Sequence, residues 1–318
     1  MSLTSHLNNP RSPVYQFMRE QFPNASSFVR AANKQMKGAK TIRSEGQVDW
    51  STIGTAVDYR LRYYFGVTPT EALTARLGAI MIEGAIVHGM LKVFNGADPE
   101  LSGAKFEDME ALKDMIPRFF ADLEGTLTRI QPEHRRLSRD DEELLARYCV
   151  VLAQFEQVYR RGRRMLQGSL LTVPDPVDAT SELLARVPQT WLDDICALSW
   201  GFYDFHRELL SRTAVLNPNF DGSRDVRGAD ADLIVEGCLI DIKTSTQPKV
   251  TGDMLYQLLG YVLLDYSDKY RIREVGIYLA RQQRMLRWSL VDLIGELSNG
   301  SGFPLNVLRD GFRGTVQD

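Results

Sequence analysis

Residues 228–243 set the strongest constraint on how this chain folds. They read Gly-Ala-Asp-Ala-Asp-Leu-Ile-Val, then Glu236-Gly237, then Cys-Leu-Ile-Asp-Ile-Lys. Two short β-branched runs around a turn-forming pair predict a β-hairpin, and a two-residue turn leaves it one register. Val235 faces Cys238, Ile234 faces Leu239, Leu233 faces Ile240 and Asp232 faces Asp241. The same register sets Asp230 opposite Lys243. Because side chains alternate along a strand, Asp230, Asp232, Asp241 and Lys243 share one face, while Ala231, Leu233, Ile240 and Ile242 share the other and read as core. Carboxylates directly across a ladder have Cβ atoms roughly 4.5–5.5 Å apart and destabilise it unless something positive lies between them.

A hard divalent cation supplies that positive charge, since Mg²⁺ or Mn²⁺ takes carboxylate oxygens together with waters. A lysine two residues beyond the second carboxylate can orient or activate a metal-bound water, or stabilise charge developing on a phosphoryl oxygen. Downstream, Thr251 or Asp253 caps a helix running to about Tyr266. On it Gln257 and Tyr261 stand four residues apart on one face, and both can hydrogen-bond a phosphate or a base edge. Glu274 to Ala280 and Arg284 to Ser289 read as a second strand pair, and Arg281, Arg284 and Arg287 beside it are candidate phosphate contacts.

Asp232, eight residues, Asp241-Ile242-Lys243-Thr244, and then Gln257-x-x-x-Tyr261 resemble the active site of the PD-(D/E)XK nuclease superfamily, in particular its RecB-like exonuclease branch. The resemblance runs from about Gly228 to Trp288, with Ala231 in the place of the proline of the family name. It implies an α/β fold with a restriction-endonuclease-like core, a mixed sheet flanked by helices. It also implies a metal-dependent nuclease that hydrolyses DNA, as an exonuclease or end-processing enzyme of recombination, repair or defence. On this reading Asp232 and Asp241 are ligands of Mg²⁺ or Mn²⁺, Lys243 is the catalytic lysine, and Gln257 and Tyr261 meet the substrate. An upstream helical motif completes the metal site in this family. Gly54-Thr55-Ala56-Val57-Asp58 and Glu83-Gly84-Ala85-Ile86-Val87-His88 both resemble it, so Asp58, Glu83 and His88 are all candidate metal ligands. An ion pair with Arg62, four residues on, accounts equally well for Asp58, and a hydrogen-bonded core histidine for His88. The reading from another class is a silent nuclease fold that serves as a nucleic-acid-binding or assembly subunit; a third keeps the fold and acts on RNA.

The rest of the chain is predicted to be largely helical. Residues 1–48, with Asn-Pro, Ser-Pro and Phe-Pro breaks, read as an irregular arm with one short helix around Val14 to Gln21. Residues 49–218 read as a helical region. Ser51 caps a helix to Phe65, and Thr68-Pro69-Thr70-Glu71 is a capping box that launches a long helix to about Val93. Further helices span Phe106 to about Leu127, Asp140 to about Gln167, and Ser181 to Arg212 with a break at Pro188. In the second of these, Leu144, Leu145, Tyr148, Leu152, Phe155 and Tyr159 form an apolar stripe. Residues 219–318 hold the sheet. Arg160-Arg161-Gly162-Arg163-Arg164 suits either a helix C-terminus or a grip on phosphates.

Charge and missing motifs narrow the function classes. Thirty-eight Lys and Arg against 41 Asp and Glu give a net charge of −3, which excludes coating of nucleic acid by bulk charge and leaves room for a local basic groove. Three cysteines, Cys149, Cys196 and Cys238, are too few for a disulfide framework or a four-thiolate metal site, and fit a reducing, cytoplasmic compartment. No segment reads as a signal peptide or a membrane span, so no membrane partner is expected. No P-loop motif is present, so a motor acting with this chain is a separate helicase or ATPase subunit. Serine-hydrolase and zinc-protease motifs are absent as well.

Overall fold

The computed structural model describes residues 2–66, 73–94, 106–162, 170–172, 180–229, 231–300 and 302–317, with backbone alone at 73, 85–94, 106–115 and 172. In chain order its helices are α1 (Leu3–Leu7), α2 (Pro13–Gln21), α3 (Ala25–Lys34), α4 (Trp50–Tyr63), α5 (Leu73–Phe94), α6 (Phe106–Ile130), α7 (Arg139–Arg161), α8 (Thr180–Ala185), α9 (Gln189–His206), α10 (Gly252–Leu264), α11 (Leu290–Leu297) and α12 (Leu305–Gln317). The strands are β1 (Ala214–Leu216), β2 (Leu233–Val235), β3 (Cys238–Lys243), β4 (Glu274–Leu279) and β5 (Arg284–Ser289). The fold is α/β and forms two compact units, one made of Met1–Ile42 and Glu208–Asp318, the other of Arg43–Arg207.

In the first unit the strands lie in the order β1-β2-β3-β4-β5, antiparallel except for the parallel pair β3 and β4. The β2–β3 hairpin has the register read from the sequence, Leu233 opposite Ile240, Ile234 opposite Leu239 and Val235 opposite Cys238. Its turn carries φ of 47° at Glu236 and 80° at Gly237, two successive left-handed residues that match the twist of the flanking strands. Any Cβ at Gly237 would lie 3.1 Å from the Arg271 carbonyl. A parallel neighbour needs a crossover, and α10 supplies it: Thr251 Oγ1 caps the helix by accepting from Met254 N at 3.3 Å. β4 and β5 follow as expected, and β1, three residues long, is an addition that the sequence did not announce.

One expectation about the sheet is corrected. Its charged face is not set apart from the core, because Asp241 and Lys243 share their side of β3 with Leu239, which is fully buried with Ile234, Val275, Ile277 and Leu279. Leu233 and Ile240 on the opposite side are buried too. Helices cover the sheet, so the charged residues sit where a buried apolar face ends.

In the expected arm, residues 1–48, the short helix around Val14 to Gln21 is present as α2, but the irregular chain on either side of it is corrected: α1 and α3 flank it, and all three helices belong to the sheet unit. The apolar side chains of α1, α2 and α3 (Leu3, Leu7, Val14, Met18, Phe28) join Leu255, Leu258 and Val262 of α10 and Phe312 of α12 in one core. Proline and asparagine breaks cut the segment into pieces too short for an isolated helix to hold; burial against the sheet's helices stabilises them.

In the second unit, α4 begins two residues earlier than a cap at Ser51 implies, because its cap is Asp49, whose Oδ1 accepts from Ser51 N at 3.0 Å and Thr52 N at 3.1 Å. Helix α7 starts with Asp140, Asp141 and Glu142 and ends with Arg160 and Arg161, charges that oppose the helix dipole at each end. It ends at Gly162, with φ 82°. Its buried surface is wider than the expected stripe, running almost unbroken from Leu145 to Val158, whereas Tyr159 is exposed. Helix α5 crosses it closely: a Cβ on Gly78 would come within 1.8 Å of the Phe155 carbonyl oxygen. Arg60 and Glu142, both fully buried, pair through Nε–Oε1 at 2.7 Å and Nη2–Oε2 at 2.8 Å. The expected capping box at 68–71 lies outside the described residues. Among the described residues, no helix is long and apolar enough to cross a membrane.

Candidate active site

Strand β3 outruns its partner, since β2 starts only at Leu233. Asp232, the residue before it, accepts the Ile242 backbone N–H through Oδ2 and so closes the ladder with a side chain. Next along β3, Asp241 is 2% exposed. Its Oδ2 lies 2.7 Å from Lys243 Nζ, in an ion pair that lacks the direction of a hydrogen bond. Lys243 Nζ donates to Gln257 Oε1 at 2.9 Å, and Gln257 Nε2 donates to Tyr261 OH at 2.7 Å and Thr4 Oγ1 at 3.4 Å. Five residues that the sequence pattern linked across thirty positions are thus in one network. Thr4 is a member that sequence reasoning missed, because α1 was read as irregular.

The electrostatics favour a charged lysine. Burial opposes the ammonium of Lys243, but Asp241 and Asp232 outweigh it and hold its pKa above the ordinary lysine value. Both carboxylates therefore act on one cation. Among the described residues no group of three or more His, Cys, Asp or Glu is gathered to hold a metal ion. Two carboxylates, one with a buried oxygen that accepts no hydrogen bond, are nevertheless a donor set that suits a small hard cation completing its shell with water.

The arginines after β4 divide by burial. Arg281 is fully buried; its Nε donates to Thr244 O at 2.7 Å and its Nη1 to Ile42 O at 3.3 Å, while Ile42 N donates to Arg281 O at 2.8 Å. That guanidinium is committed to the backbone beside Lys243, so the expected phosphate contact is replaced by a positioning one. Gln282 Nε2 adds bonds to Thr41 Oγ1 at 3.2 Å and Ser245 O at 3.3 Å. Arg284 is exposed, and Arg287 pairs with Glu274. The far end of the loop is held by Asn33, which accepts from Val250 N at 2.7 Å and donates to Val250 O at 2.9 Å. Asn33, like Thr4, carries no motif by which sequence could have marked it.

The remaining candidates lie in the helical unit. Asp58 is ion-paired with Arg62; burial raises its pKa, with Arg62 opposing and Glu156 reinforcing the shift. Glu156 accepts from Tyr59 OH at 2.6 Å, Thr74 Oγ1 at 2.8 Å and Arg160 Nε at 2.7 Å. Burial pushes its carboxyl up, but Arg160 and these hydrogen bonds outweigh that and hold it below the usual value. Arg160 thus serves a buried carboxylate four residues back. Glu83 is half-buried on α5 beside Arg76, Pro117, Phe120 and Glu124, around an open cavity of about 440 Å³. The side chain of His88 lies outside the described residues, as do Asp230, Arg163 and Arg164. The three cysteines are free and buried.

Compared with protein-family models, with curated proteins and with solved structures, the chain has no match.

Proposed function

We propose that this chain is a metal-dependent nuclease with a restriction-endonuclease-like core, of the PD-(D/E)XK superfamily and its RecB-like branch, that hydrolyses DNA phosphodiester bonds. The observation that carries the reading is the convergence of Asp232, Asp241, Lys243 and Gln257 at one end of β3, with the lysine held between a carboxylate and an amide carbonyl. Asp232 and Asp241 would hold Mg²⁺ or Mn²⁺. When bound, that ion lowers the pKa of a water and offsets charge on the scissile phosphate.

The chain's own residues supply the rest. Lys243, kept cationic by its two carboxylate neighbours, holds its protons on Nζ and offers one to the phosphoryl oxygen on which charge develops. Gln257 fixes the direction of that ammonium, and Tyr261 and Thr4 fix Gln257. Burial of Asp241 under the helices that cover the sheet excludes water from one side of the site, where charge interactions are strongest. These roles use residues of the sheet unit alone.

The test is cleavage of end-labelled linear DNA, closed circular DNA and a matched RNA strand with Mg²⁺, Mn²⁺ or EDTA. Metal-dependent loss of linear DNA supports the reading, and the circle tells whether an end is required. Preference for the RNA strand would move the substrate. A folded protein that binds DNA but cleaves nothing in any metal would be the silent subunit instead.

A further inference from the structure

Between Glu20 and Glu45 the chain carries no acidic residue and five basic ones. Four of them, Arg30, Lys34, Lys37 and Lys40, belong to the sheet unit, and all four are exposed. Arg30 and Lys34 stand four residues apart on α3, away from its buried Phe28 and Ala32, and Lys37 and Lys40 continue along the turn that follows. Arg30 hydrogen-bonds Ser27 Oγ at 2.8 Å, and none of the four is in an ion pair with a described residue. In a chain of net charge −3, four neighbouring uncompensated cations create a local positive field that the total conceals.

Their position gives that field a use. Asn33 of α3 holds Val250 by two hydrogen bonds, and Thr41 and Ile42 are held by Gln282 and Arg281, which also grip Thr244 and Ser245. The basic run is therefore fastened at both ends to the loop that leaves Lys243, and the exposed part of that loop carries Lys249. We propose that Lys34, Lys37, Lys40 and Lys249 form a phosphate-binding strip that holds the backbone of a DNA strand next to the Asp232–Asp241–Lys243 site. The strip deepens the nuclease reading and rests on it for the identity of the polyanion. Charge alone would serve an acidic peptide equally; the tie to the loop of Lys243 selects the substrate's own backbone.

Binding is measured by fluorescence anisotropy of a labelled 20-base-pair DNA in EDTA across a NaCl series. The full chain is compared with the triple variant Lys34→Gln, Lys37→Gln, Lys40→Gln. The control is Lys269→Gln, Arg271→Gln, Arg273→Gln, which removes equal charge beside the opposite end of β4. Thermal midpoints check that each variant folds. Each lysine on a phosphate contributes about 0.9 to the slope of log affinity against log salt. The strip variant should therefore bind at least about tenfold more weakly, with a slope shallower by about two to three, while the control stays near wild type. Equal loss in both variants, unchanged binding by the strip variant, or no binding by wild type overturns the proposal. Because EDTA removes cleavage from the readout, the two readings fail separately. A wild type that cleaves while the strip variant binds normally sinks the strip alone. A wild type that binds through the strip and never cleaves sinks the nuclease alone.

Discussion

Gln257 turns its carbonyl, not its amide nitrogen, toward Lys243: Oε1 accepts from Nζ at 2.9 Å, while Nε2 donates to Tyr261 and Thr4. An ammonium can only donate, so this orientation is the one that holds the lysine, and the two acceptors on the other side of the amide select it. Gln257→Leu keeps the size and removes the carbonyl. Its turnover number should fall about tenfold, within the range that one aligned polar contact supplies, with a smaller change in KM. Steady-state kinetics on labelled DNA measures both.

The raised pKa of Lys243 has a thermodynamic counterpart in metal-free protein. A cation whose folded pKa exceeds its unfolded value of about 10.4 stabilises the fold fully below that pH and loses the contribution as pH rises through the folded pKa. Lys243→Met removes the contribution at every pH. The difference in thermal midpoint between wild type and Lys243→Met should therefore be constant from pH 7 to 9.5 and shrink above about 10.4. A difference that stays constant to pH 11.5 would show that Asp241 and Asp232 do not hold this ammonium.

Arg281 separates a positioning residue from a phosphate contact. Its guanidinium is fully buried on the carbonyls of Thr244 and Ile42. Arg281→Met leaves those acceptors unmatched, at about 1–3 kcal/mol for each, and loosens the backbone next to Lys243. Urea denaturation should show the loss of stability and kinetics a lowered turnover number. DNA affinity in EDTA and its salt slope should stay at wild-type values, whereas a phosphate contact would lower both.

In the helical unit the fully buried pair Arg60–Glu142 sets a stability test independent of the site. Removing one partner strands a buried charge, so Arg60→Met or Glu142→Leu should each cost about 3–5 kcal/mol. Replacing both with apolar side chains should cost much less than the sum of the two. Chemical denaturation of the two single variants and the double variant closes the cycle.

What the sequence disclosed follows from how local its causes are. The β2–β3 register, the turn at Glu236–Gly237 and the start of α10 are fixed by neighbours within a few residues; the first two were legible outright, and the cap was narrowed to Thr251 or Asp253, of which Thr251 is the one. Helix α1 and strand β1 were not, because at five and three residues their stability comes from tertiary contacts, such as Leu3 packed on Gly260. Ser51 misled as a cap because Asp49, two residues earlier, offers a carboxylate that takes two backbone N–H groups at once. At the site, Asp241 and Lys243 could be placed by alternation alone. The role of Arg281 could not, since an arginine after a strand reads as exposed until its burial is seen. The acid-free run from 21 to 44 was readable from composition, but its neighbour, the loop after Lys243, lies some two hundred positions away.

The central claim is tested most directly by single-turnover cleavage of linear DNA in Mg²⁺ by wild type, Asp241→Asn and Lys243→Met, each shown to be folded. The account predicts cleavage by wild type that EDTA abolishes and that both substitutions lower by at least about a hundredfold. Cleavage unchanged in Asp241→Asn, or persisting in EDTA, would contradict it.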